Sequence, residues 1–102
     1  MERRSLRGFQ RRYLRARAHA LRPVVQVGSS GINEATIASL DRALLDHELV
    51  KVRLHQPDDK RAAASELTRR SGAELCGVVG HTVILYRPHP GAPRIDLPKR
   101  ER

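Results

Sequence analysis

A helix-length segment between two short apolar runs is what most restricts this chain. Residues 24–27 read VVQV and residues 49–55 read LVKVRLH. Between them come Gly28-Ser29-Ser30-Gly31 and then Ile37, Leu40 and Leu44, spaced as on one face of an amphipathic helix. Strands joined through a helix cannot form a tight hairpin. Neighbouring strands so connected pair in parallel through a right-handed crossover, so the chain builds at least part of an open α/β sheet. Asn33 is placed to cap the intervening helix, which runs to about His47, and Ile32 and Ile37 have the spacing of a hydrophobic staple. In the second run, Val50, Val52 and Leu54 point one way and Lys51, Arg53 and His55 the other. That predicts a half-buried strand with a basic outer face.

The flanking segments complete the pattern. Residues 5–21 predict a helix with Leu6, Phe9, Tyr13, Ala16 and Ala20 inward, closed by Pro23. Pro57-Asp58-Asp59 reads as a turn and cap. The helix after it turns Ala62, Ala63 and Leu67 inward and stops at Gly72. ELCGVV (74–79) and TVILYR (82–87) are strands joined by Gly80-His81, which suits a type II′ hairpin. Residues 88–102 are proline-rich and basic and predict an extended tail docked through Ile95 and Leu97. The expected fold class is α/β with α+β character: one domain over residues 1–98, elements in the order αβαβαββ, and a four-stranded mixed sheet packed with helices.

Charge narrows the function. The 102 residues carry a formal net charge of +9. Residues 1–22 contribute +7, residues 23–86 contribute −1 and residues 87–102 contribute +3. A near-neutral body with two basic ends favours a polyanion, nucleic acid before an anionic membrane. Arginines wrap around much of the first helix, which fits phosphate better than a membrane surface. With Phe9, Tyr13 and Tyr86 as the whole aromatic complement, a base-stacking sheet platform is not expected. A lone Cys76 allows no internal disulfide, and no apolar run or leader pattern points away from the cytoplasm. The histidines lack metal-ligand spacing and no nucleophile pairs with a base, so neither a metal, a cofactor, a small-molecule substrate nor catalysis is expected.

The glycine pair has a physical use. Glycine reaches positive φ freely and lets another backbone approach. A helix N-terminus offers unpaired N–H groups and about half a unit of positive charge, so a bare turn feeding one can receive phosphate. No Gly-Lys-Ser/Thr follows and no G-x-G-x-x-G is present, so nucleotide-cradle motifs are excluded.

On these residues the chain resembles the CRM family (chloroplast RNA splicing and ribosome maturation), in particular its stand-alone bacterial YhbY-like members. The stretches that carry the resemblance are LRARAHALRPVVQVGSSGINEATIASLDRALLDHELVKVRL, SGAELCGVVGHTVILYRP and RIDLP, over about residues 12–98. The resemblance implies a fold similar to the C-terminal domain of translation initiation factor three. It also implies RNA binding through the GxxG loop and, for bacterial members, association with 23S rRNA in precursors of the large (50S) subunit. The candidate RNA-binding residues are Gly28, Ser29, Ser30 and Gly31, with Arg22, Lys51, Arg53, Arg15, Arg11 and Arg87 supplying charge. A monomer is expected. The alternatives are a structural component of the mature ribosome and a general RNA-binding, RNA-chaperone or splicing-type factor. A phosphate-handling enzyme is a third reading.

Overall fold

Proline at 23 and glycine at 28 confine the first strand, β1, to Val25–Val27. The computed structural model describes residues 6–100. Ahead of β1 lies α1 (Gly8–Ala18), and after it come α2 (Glu34–His47), β2 (Leu49–Leu54), α3 (Lys60–Ser71), β3 (Glu74–Val79) and β4 (Thr82–Tyr86). The αβαβαββ order is as expected. Among the described residues no helix is long and apolar enough to cross a membrane.

The sheet order is β1-β2-β4-β3. β1 and β2 pair in parallel, with Val25 opposite Val52 and Val27 opposite Leu54. The other helix-linked strands are not neighbours. β2 and β3 do not touch, because β4 folds back between them and pairs antiparallel with both. The hairpin produces this: Gly80 takes φ 59° in a two-residue loop, and the returning strand fills the slot beside β2.

Two-residue periodicity sorts side chains to the two faces. Val25, Val27, Val50, Val52, Leu54, Val83 and Leu85 meet Leu40, Leu44, Ala64 and Leu67 of α2 and α3 in the larger core. Fully burying one such Val or Leu contributes about 1.5–3 kcal/mol. On the other face Leu49, Cys76, Ile84 and Tyr86 lie under Leu6, Leu14 and Ala18, with Tyr13, Ile95 and Leu97 closing the rim. Lys51 and Arg53 share that face but only Leu49 is buried there, so β2 keeps its basic outer surface.

Two inward faces differ from the sequence reading. In α1 the buried side chains are Leu14 and Ala18, while Phe9 and Tyr13 are half-buried and Ala16 and Ala20 exposed. The helix ends at Ala18 rather than residue 21, since residues 19–24 are needed to carry the chain to β1. Residue 5, where the helix was expected to start, lies outside the described residues. In α3, Ala64 is buried and Ala62 exposed. Asn33 and Asp59 cap α2 and α3 as expected.

Gly77 explains how α1 sits. A Cβ there would lie 2.6 Å from Cδ of Arg15, whose guanidinium donates to the Cys76 carbonyl at 2.7 Å. The missing side chain is the slot that lets Arg15 lie on the sheet. Gly77→Ala is expected to push Arg15 off that carbonyl and cost about 1–2 kcal/mol, read by denaturant unfolding. Tail and first helix also meet: the Gln10 side-chain amide donates to the Pro98 carbonyl at 3.1 Å.

Candidate nucleic-acid interface

The glycine turn stands at the C-terminal end of β1, one of the two edge strands. The Gly31 N–H donates to the Gly28 carbonyl at 3.0 Å, closing a four-residue turn with Ser29 and Ser30 exposed. Gly31 has φ 77°, where a side chain is strained, so the fold itself favours glycine there. Gly28 differs. Its φ is not positive, and a Cβ would meet nothing within 4 Å. Among the described residues nothing asks position 28 to be bare.

Asn33 takes up one free amide of α2, since its Oδ1 accepts from the Thr36 N–H at 3.0 Å. The Glu34 and Ala35 amides have no protein acceptor among the described residues. A carboxylate so near this end would oppose an anion, but Arg70 meets Glu34 at 3.1 Å. Arg70 also meets Glu66 at 3.2 Å and the Ile32 carbonyl at 3.4 Å, tying the entrance of α2 to α3. An open groove of about 350 Å³ runs between the β1 edge and α2, lined by Val24, Gln26, Gly28, Ser30, Gly31, Asn33, Thr36 and Ser39 among others.

The basic candidates are distributed unevenly about this edge. Arg53 is exposed on the outer sheet face, in register with Gln26, whose side chain meets His55 at 2.7 Å. Lys51 sits further down the same face and donates to the Leu21 carbonyl at 3.1 Å. Arg22 is exposed at the opposite end of β1 from the glycine turn. Arg15 and Arg11 belong to α1, the first held by Cys76 and the second donating to the Leu6 carbonyl. Arg87 is not brought to this edge. Its guanidinium meets Asp41 at 2.9 Å and the Ser71 carbonyl at 2.7 Å, bridging α2 and the end of α3.

Glu48, just past the expected end of α2, is a residue that the sequence does not single out. It is fully buried, with φ 66° and ψ −43° where α2 meets β2. Its carboxylate accepts from the backbone N–H groups of His89 (2.7 Å), Arg94 (2.9 Å) and Ile95 (3.0 Å). Burial pushes its pKa up, but the three amides and the Arg94 charge outweigh that and hold it below the ordinary value. The available signal was an acid at a helix end directly before an apolar strand. Cys76 is buried, and burial pushes its thiol up to about 12, so it carries no thiolate near neutrality. Among the described residues no three potential metal-ligating side chains gather.

Together these features define a mixed α/β domain with an open edge strand, a bare turn at its end and a basic outer face. The chain belongs to the CRS1/YhbY (CRM) domain family, whose model matches residues 6–87. It is 38% identical over 95 residues to the Bacillus subtilis protein YqeI, named a probable RNA-binding protein, covering 91% of this chain and 99% of that one. A Haemophilus influenzae protein named an RNA-binding protein is 36% identical over 93 residues, covering 89% and 93%. The solution structure of the Staphylococcus aureus protein SAV1595 is similar throughout, with a TM-score of 0.79 at 39% identity, covering 91% of this chain and 99% of that one.

Proposed function

We propose that this protein is a non-catalytic, monomeric, cytoplasmic RNA-binding protein that engages 23S rRNA during assembly of the large ribosomal subunit. The glycine turn and the first amides of α2 hold backbone phosphates, while Arg53, Lys51, Arg22 and the α1 arginines draw the strand in. RNA binding is supported by the family and by the names its relatives carry. The ribosomal target rests on the family resemblance. The observation that carries the site is Gly28, bare in open space with no internal reason to be so. A glycine that the fold does not require is explained by a ligand that must come close.

Gly28→Asp tests this cleanly, because it adds charge without clash or strain. The variant is expected to unfold at the parent's temperature and to bind single-stranded RNA at least about tenfold more weakly, ~1.4 kcal/mol. Unchanged affinity in the folded variant moves the site elsewhere. The ribosomal role is read by sedimentation of cell extracts: the protein is expected on precursor particles and absent from finished subunits.

A further inference from the structure

An open cavity of about 520 Å³ lies at the other end of β1 from the glycine turn. Three segments distant in sequence enclose it: the linker from α1 to β1, the junction of α2 with β2, and the tail at Arg94 and Ile95. Leu21 and Val24 line it and are 41% and 51% exposed, two of the few large apolar side chains left in water. Arg17, Arg22 and Arg94 face the same space against two carboxylates, Asp46 and Glu48, the second of which is engaged by the tail amides of His89, Arg94 and Ile95. Arg94 is committed to capping α2 through the Asp46 and Leu45 carbonyls, and Asp46 is met by Arg42 at 3.7 Å. Arg17 and Arg22 carry no ion pair among the described residues, and their charge is available.

This cavity adjoins the groove beside the glycine turn, because Val24 lines both. The Val27 carbonyl accepts from the His55 N–H, so the peptide groups of Val27 face β2 and those of Gln26 face the open edge. From Arg22 to Gly28 is six residues, at most about 20 Å of chain, with the three-residue strand β1 in its middle. A continuous channel results: bare amides at one end, free main-chain polar groups along the middle, and an apolar floor with two arginines at the other.

We infer that the cavity is a second nucleotide subsite for the RNA strand held at the glycine turn, with a base resting on Leu21 and Val24 and its phosphate on Arg17 and Arg22. The inference rests on the RNA-binding reading above and extends it. The apolar floor fits the flat face of a base, and the arginines fit its backbone. A protein partner with an acidic rim is disfavoured, since the channel leads directly to the phosphate-accepting turn. The aliphatic floor gives the base contact area without distinguishing purine from pyrimidine.

Two experiments on the full chain decide this. In an NMR titration with a single-stranded octanucleotide, the Gly28 and Gly31 amides and the Leu21 and Val24 methyls are expected to move with one midpoint. Movement of the turn alone at saturation overturns the subsite and leaves RNA binding intact. Movement of neither overturns RNA binding itself. A shift of Leu21 and Val24 on concentrating the protein without RNA marks a self-association surface and also overturns the subsite. The exposed pair Leu21→Asp and Val24→Asp, combined, is expected to keep the parent's unfolding temperature and lose about tenfold in octanucleotide affinity. Parental affinity in that variant sinks the proposal.

Discussion

Glu48→Ala is expected to unfold about 15 °C below the parent and to release the C-terminal tail. The carboxylate is fully buried and takes three backbone amides from residues 89–95. Hydrogen bonds to a charged group are worth about 1.5–3 kcal/mol each, and release of the tail into water recovers part of that, leaving a loss of about 3 kcal/mol. In a domain of this size that corresponds to the stated shift. Alanine also retains the strained φ of 66°, whereas Glu48→Gly relieves it; the glycine variant is expected to be more stable than the alanine one by roughly 1 kcal/mol. Acid provides a second measurement. The folded pKa of Glu48 is lowered, so its contribution is complete above the ordinary carboxyl value, about 4.3, and is lost as pH falls below it. The parent's stability is expected to drop on that limb and the alanine variant's to fall less steeply. Equal slopes in the two proteins would refute the tail latch.

Raising salt from 50 to 200 mM is expected to weaken RNA binding about 300-fold. If the turn, the channel and the basic residues neutralise about six phosphates of a single strand, log K falls with log salt at a slope near −4. The same relation gives the 300-fold figure. Arg22→Ala is expected to make the slope shallower by somewhat less than one, because it removes one phosphate contact. Arg87→Ala is expected to leave the slope unchanged and lower stability instead, since that guanidinium is held by Asp41 and Ser71. A flat salt profile in the parent would mean that counterion release does not drive the interaction.

Most of the architecture was legible because periodicity and caps are local. The alternation of residues 49–55, the Asn33 cap and the Gly80 turn each follow from neighbours in sequence. The strand order was not legible: nothing local tells β4 to enter between β2 and β3. Nor was the seating of α1, because Leu14 and Ala18 are selected by the slot at Gly77 on a strand 60 residues away. In the candidate site the turn could be read as a run of residues. Its electrostatic neighbour Arg70, the buried Glu48 and the internal engagement of Arg87 depend on contacts between distant segments. Charge counted along the chain therefore overstated what Arg87 offers to a partner.

The Gln10–Pro98 contact joins parts of the molecule that the chain separates by 88 residues. It brings the arginine-bearing α1 and the tail as far as Lys99 and Arg100 onto one flank of a domain whose middle is nearly neutral. Such a particle has a strong electric dipole as well as a net charge. In the field of an anionic polymer it turns before it lands, so encounters begin from a favoured orientation and productive collisions are enriched over random ones.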